Sequence, residues 1–245
     1  MIVFWKPEFK QEHPTPDELP TIYVPPKNAG SSMRGIIRYI NDEFKRLGNE
    51  RGPLGWRRSL YRELSGRQIA LIRCPFERFK SIWVTRKVKI EKTLGITLNR
   101  PHELLTDEFW CEHVYPLVPR MLESWKFENT KEHWEPLDIA RHLLPQSFVV
   151  GTTVDVSRKG KPTGETKPEL LSFTRVNELG AKLCDLAGVD SFIEPFNRNT
   201  RQENVDKGRD AKYDPTENQK RVIKTLLLRK YSEDYKLWNN VDQSC

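Results

Sequence analysis

Residues 22–37 read Ile-Tyr-Val-Pro-Pro-Lys-Asn-Ala-Gly-Ser-Ser-Met-Arg-Gly-Ile-Ile, and the order of these residues decides the fold class. A β-branched run stops at two prolines, passes through a turn of small residues holding Lys27, and opens a helix. Met33, Ile36, Ile37, Ile40 and Phe44 recur at helical spacing, so the helix expected over 31–46 has one apolar face. Two readings of the turn are open from the residues alone. It is a polar strand-to-helix connection with Ser31 as N-cap, or it is an anion site. The second follows because first-turn N–H groups lack partners, the helix dipole is positive there, and Gly30 lets a ligand approach the backbone.

A second segment has the same build. Gln68-Ile-Ala-Leu-Ile-Arg73 reads as a buried strand, and Pro75 suits the first turn of the helix that follows, expected over 75–89. Arg73 falls at the carboxyl end of the strand, while Arg78 and Ser81 stand three apart on one helical face. A guanidinium fork and a hydroxyl suit a phosphate dianion, since Arg offers fixed paired donors and stays charged.

The two segments together resemble the cofactor motifs of the sulfotransferases that use 3′-phosphoadenosine-5′-phosphosulfate (PAPS). A Walker A loop puts its lysine after the glycines. Here Lys27 precedes Gly30, with Ser31 and Ser32 behind it, as in the 5′-phosphosulfate loop of that family. Arg73-Cys-Pro75-Phe-Glu-Arg78-Phe-Lys-Ser81 is similar to its 3′-phosphate signature Arg-x-Pro-(Phe/Tyr)-x-Arg-x-x-Ser. His133-Trp134-Glu135-Pro136, Pro195-Phe-Asn197-Arg198-Asn199-Thr200 and Tyr231-Ser-Glu-Asp234-Tyr235-Lys-Leu-Trp238 resemble segments of the membrane-type carbohydrate branch, with Phe196 where histidine is common.

The resemblance implies a three-layer α/β fold with a P-loop-NTPase-like central parallel sheet flanked by helices, in a single domain over 1–245. It implies PAPS as sulfuryl donor, adenosine 3′,5′-bisphosphate (PAP) as product, and a hydroxyl or amine of a glycan or small polar molecule as acceptor. Lys27 would serve catalysis and, with Asn28, Ala29, Gly30, Ser31 and Ser32, hold the 5′-phosphate. Arg73 and Ser81 would take the 3′-phosphate, Arg78 being open between that role and a structural carboxylate. Family members commonly place a His or Glu between the first helix and the second phosphate strand as general base. Between Lys45 and Gln68 stand only Glu50 and Glu63, and Glu63 is the candidate. His133, Trp134, Arg57 and Arg58 are candidates for acceptor binding.

Bulk properties bound the rest. The 245 residues carry a net charge of +7, concentrated between residues 45 and 92. No helix-turn-helix, zinc-ligand or aromatic-basic RNP pattern accompanies that charge, so no nucleic-acid partner is expected. No metal-ligand spacing is present, and the reaction type requires no metal. Cys74, Cys111, Cys184 and Cys245 show no framework spacing, so free thiols in a reducing compartment are expected. Met-Ile-Val-Phe-Trp-Lys-Pro-Glu lacks the apolar length of a signal peptide or anchor. The expectation is a cytoplasmic or otherwise soluble protein, unlike the anchored members of the branch. Further along, a strand is expected over 148–152, a helix over 170–186 and another over 215–231. Two rival functions stay open: a P-loop-like nucleotide or small-molecule kinase, which lacks its Gly-Lys-Ser/Thr here, and a non-catalytic module that keeps the PAPS pocket.

Overall fold

The structure, a computed structural model, describes residues 1–57, 67–119, 131–151, 168–192 and 211–241. The chain forms two compact units, Met1–Arg73 with Val150–Arg198 and Asn240–Asp242, and Cys74–Val149 with Asn199–Asn239 and Gln243–Cys245.

The first unit is an α/β layer built on a mixed sheet in the order β3-β1-β2-β4-β5. The strands are β1 (Ile2–Trp5), β2 (Thr21–Tyr23), β3 (Leu54–Arg57), β4 (Gln68–Ile72) and β5 (Glu169–Ser172). β2, β4 and β5 run parallel, with Ile22 opposite Ile69 and Leu71 opposite Leu171. β1 is antiparallel to both of its neighbours, β2 and β3. The sheet is therefore not the all-parallel one expected from sequence. The correction comes from Ile-Val-Phe-Trp at 2–5, an apolar run that inserts between β2 and β3 and pairs antiparallel with both. All five residues of β4 are buried, as strands covered on both faces are.

Among the described residues of this unit, the α-helices are α1 (Pro7–Glu12), α2 (Gly30–Arg46) and, in chain order, α7 (Val176–Leu186). α2 buries Met33, Ile36, Ile37 and Ile40, the stripe that the periodicity predicts. α7 buries Val176, Leu179, Leu183 and Cys184 against the same core. Gly180 is what lets the two helices meet, for a Cβ there would stand 2.8 Å from Ile36 Cδ1. α7 starts at Val176 rather than at 170, because Glu169–Ser172 instead pairs with β4 as the third parallel strand.

The second unit is helical. Its elements are α3 (Pro75–Leu94), α4 (Asp107–His113), α5 (Lys131–Leu143), α6 (Gln146–Gly151, whose last residues fall in the first unit), α8 (Glu217–Lys230) and α9 (Ser232–Asn239). α3 runs past the expected end at 89 and stops at Gly95, whose φ of 67° suits a residue without Cβ. α8 is opened by a capping box between Thr216 and Gln219 rather than by Pro215. Phe79, Ile82 and Trp83 of α3 are buried, as are Trp110, Leu143, Leu227 and Trp238 in the same unit.

The strand expected over 148–152 is instead α6. Its first N–H groups, on Gln146 and Ser147, both donate to the Asp234 carboxylate at 2.7 Å, and Ser147 Oγ donates there as well. A carboxylate from 87 residues away supplies the cap, so β-branched propensity at Val149 and Val150 loses to tertiary context. Cys111 and Cys184 are free thiols, but Cys74 is disulfide-bonded, which corrects the expectation for that residue. Among the described residues no helix is long and apolar enough to cross a membrane.

Candidate functional site

Parallel strands release their loops at a common edge. The β2–β4–β5 register therefore brings together the turn after β2, Arg73 after β4, and Ser172–Thr174 after β5. Tyr23 and Val24 are buried, and Pro25–Ala29 turns the chain into α2. Asn28 N–H donates to Pro25 C=O at 3.1 Å. The fully buried Asn28 side chain donates from Nδ2 to Leu71 C=O at 2.7 Å, fixing the turn to β4. Asn28 is thus part of the candidate loop through its backbone, while its side chain holds the loop in place.

The backbone of this turn is strained. Lys27 has φ 70° and Ala29 has φ 59°, and these are the positive-φ non-glycine residues among those described. A left-handed conformation costs a residue with a Cβ about 1–2 kcal/mol. Such outliers persist where surrounding contacts over-determine them. Here Asn28, between the two, supplies the anchor.

Ala29 takes the N-cap position, so α2 begins at Gly30, one residue earlier than expected, and Ser31 is not its cap. No side chain caps this N-terminus, and its first turn carries no acidic residue. The first intrahelical bond runs from Met33 N–H to Ala29 C=O at 2.9 Å. That leaves the N–H groups of Gly30, Ser31 and Ser32 without an intrahelical acceptor. Ser31 is exposed, and its Oγ accepts from Arg34 at 3.3 Å. Lys27 is partly exposed at the turn.

Arg73 joins the two sequence motifs. Its Nη1 donates to Lys27 C=O at 3.0 Å, and its guanidinium carbon lies 4.6 Å from the centre of the Phe173 ring. Ser172 Oγ and Thr174 Oγ1 are 2.8 Å apart beside that ring. Sequence reading missed Ser172, Phe173 and Thr174, having placed them inside a helix. A short polar-ended strand after Pro168 was the available signal.

The second unit takes the rest of the motif and uses it differently. Arg78 is 1 % exposed, and its Nη2 donates to His142 C=O at 2.9 Å and Leu144 C=O at 2.8 Å. Burial pushes its pKa down, while the charges of Asp234 and the Tyr231 phenol oxygen act the other way. In the structure the Arg78 guanidinium ties down carbonyls at the end of α5. Tyr231 adds its hydroxyl to Leu143 C=O, and burial raises the Tyr231 pKa far above the usual phenol value. The 231–238 echo is therefore core, with Asp234 and Trp238 buried in it. Ser81 is buried on α3, and its C=O accepts from Thr85 Oγ1 at 2.8 Å.

Of the remaining candidates, Glu63 and Arg58 lie outside the described residues, as does the 195–200 segment. Arg57 closes β3, and His133 and Trp134 stand on the first turn of α5. The structure thus brings Lys27–Ser32 and Arg73 together in one unit, and places Ser81 and Arg78 in the other. No protein-family model, curated protein or solved structure matches this chain.

Proposed function

We propose that the chain is a sulfotransferase that binds PAPS at the Lys27–Ser32 turn and Arg73, and passes its sulfuryl group to a hydroxyl or amine of a glycan or small polar acceptor. One observation carries the reading: Arg73, from the second phosphate motif, hydrogen-bonds the backbone of Lys27, from the first, at the carboxyl edge of parallel strands. On this reading β2, β4 and β5 are the core of a P-loop-like sheet, extended by the antiparallel β1.

The residues present fit such a ligand. An uncapped helix N-terminus without acidic residues favours an anion. Three consecutive N–H groups on Gly30, Ser31 and Ser32 suit a phosphate oxygen. Arg73, held over Phe173 and against the Lys27 carbonyl, keeps a guanidinium at the same edge. PAPS when bound would supply a sulfuryl group on a mixed phosphate–sulfate anhydride, to be taken by the acceptor oxygen or nitrogen with PAP as the leaving group. Lys27 would place its ammonium against the oxygen that takes up charge as PAP leaves. The strained backbone fixes where the lysine chain leaves the turn, so the stabilisation needs little reorganisation. Glu63 is proposed, from sequence, as the group that removes the acceptor proton.

Two measurements test this. Calorimetric titration should show PAP binding and AMP binding much more weakly, since only PAP carries the 3′-phosphate. Equal affinities, or a preference for magnesium-ATP, would transfer the site to the kinase reading. Transfer of labelled sulfate from PAPS to a panel of glycans and small alcohols should give product. Tight PAP binding without any transfer would identify a module that keeps only the pocket.

A further inference from the structure

We propose that the first unit carries a docking groove for an extended acidic peptide segment of a partner protein, between α2 and the open edge of β3. The groove has a volume of about 410 Å³ and includes neither Lys27 nor Arg73. One wall is the solvent face of α2, with Arg34, Arg38, Asp42 and Lys45. The other includes Leu54 and Trp56 of β3. Three cations thus face one carboxylate. Arg38 and Lys45 are exposed and form no ion pair among the described residues. From Arg34 to Lys45 the helix rises roughly 16 Å, which about five extended residues span.

The edge of β3 says what kind of chain lies there. Among the described strands, β3 ends the sheet. Lys6 N–H donates to Pro53 C=O at 2.9 Å, which fixes the phase of the β1–β3 ladder. In an antiparallel pair the bonded positions alternate. Gly55 and Arg57 therefore turn their peptide groups toward β1, while Leu54 and Trp56 turn theirs outward. At Leu54 both outward groups are already met by a carboxamide. Asn41 Nδ2 donates to Leu54 C=O and Leu54 N–H donates to Asn41 Oδ1, each at 3.0 Å. A side-chain amide thus stands where the next strand's peptide group would stand. Two residues on, Trp56 presents the same donor and acceptor pair with no side-chain amide opposite among the described residues. Its ring is 42 % exposed, with the Arg34 guanidinium 5.9 Å from its centre.

An exposed strand edge pairs with another backbone, and the cations beside it select carboxylates. A sulfated or uronic oligosaccharide supplies anions but no alternating N–H and C=O. Single-stranded nucleic acid likewise lacks them, and Asp42 in the groove repels its phosphates. A peptide meets all three features: carboxylates for Arg38 and Lys45, backbone for Trp56, and an amide N–H for Asp42. The Trp and Arg side chains are also those that anchor protein interfaces most often.

The test uses the full chain and a fluorescein-labelled octapeptide alternating Glu and Val, followed by anisotropy at low salt. Saturable binding is expected, weakened about tenfold by Arg38→Glu with Lys45→Glu. N-methylating alternate peptide residues should weaken it about fivefold in the phase that faces Trp56, through loss of a backbone hydrogen bond, and little in the other phase. Hydrogen exchange should show the Trp56 amide slowed by the peptide. Absence of binding would overturn the proposal. So would equal binding of both N-methylated phases, of a heparin-derived oligosaccharide, or of oligo-deoxythymidine, since each would reveal only a surface for anions. None of these readouts depends on PAPS, so the outcome is independent of the proposed transfer reaction.

Discussion

The turn at Lys27–Ser32 and the polar cluster around Arg78 are both built from a basic side chain at the end of a helix, yet they favour opposite ligands. At the turn the helix end is an N-terminus. It has an uncapped set of N–H donors, a lysine, and no carboxylate in the first turn. At Arg78 the helix end is the C-terminus of α5, where His142, Leu143 and Leu144 offer carbonyls to Arg78 and the Tyr231 hydroxyl. Donors beside a cation attract an anion. Acceptors beside a cation satisfy it. The polarity of the helix end, and not the charge of the side chain, separates the candidate site from the core. The difference is visible within one motif, whose arginines at 73 and 78 are five residues apart and serve different ends.

Stability should respond most at Arg78. Arg78→Ala would leave the carbonyls of His142 and Leu144 buried without this donor and remove the cation that the buried Asp234 feels. Leaving a buried polar group without its partner costs about 1–3 kcal/mol, and two carbonyls lose theirs here. Thermal and urea unfolding should show a fall of that size. Loss of PAP affinity at unchanged stability would instead move Arg78 out of the core and into the ligand site, and the contrast would collapse.

Next in size is Lys27→Ala, where the proposed transfer reaction requires turnover to fall by about two to three orders of magnitude, the charge Lys27 would meet developing in the transition state. PAP affinity should change far less, and the melting temperature hardly at all. Near-normal turnover with only a raised KM for PAPS would make Lys27 a binding residue.

What the sequence made legible follows the same division. Both strand–turn–helix segments could be read because their elements are adjacent in the chain, and the apolar stripe of α2 is local. The misreadings lie where a distant residue decides. Val149 and Val150 look like a strand, but Asp234 caps them into a helix from 87 residues away. Glu169–Ser172 looks like a helix start, but β4 recruits it as a strand. The site suffered from this directly, since Phe173 reaches Arg73 only once β5 is a strand. Arg78 was open from sequence because its partners, the carbonyls at 142 and 144, carry no side-chain signature.

Arg73 gives a smaller, selective effect. Arg73→Ala should weaken PAP by roughly 1.5–3 kcal/mol, the usual value of a hydrogen bond to a charged group, while AMP binding stays nearly as it was. Arg73→Lys should recover part of the loss, keeping the charge without the fork. Equal loss for AMP and PAP would mean that Arg73 acts only by holding the Lys27 carbonyl.

The smallest effect probes the strain that only the turn contains. Ala29 sits at φ 59° and ψ 22° at the head of α2. Ala29→Gly removes the clash of its Cβ in the left-handed region, worth about 1–2 kcal/mol. It also gives the unfolded chain more freedom, which offsets about 0.5–1 kcal/mol. The net change should be a stabilisation of about 0.5–1 kcal/mol, read as a small rise in melting temperature. Affinity should move the other way. A glycine at 29 loosens the geometry that directs the N–H groups of Gly30, Ser31 and Ser32, so PAP binding should weaken by a few-fold at most. A variant both more stable and tighter-binding would mean that the strain at Lys27 and Ala29 has no part in holding the anion. The turn would then differ from the Arg78 cluster in polarity alone.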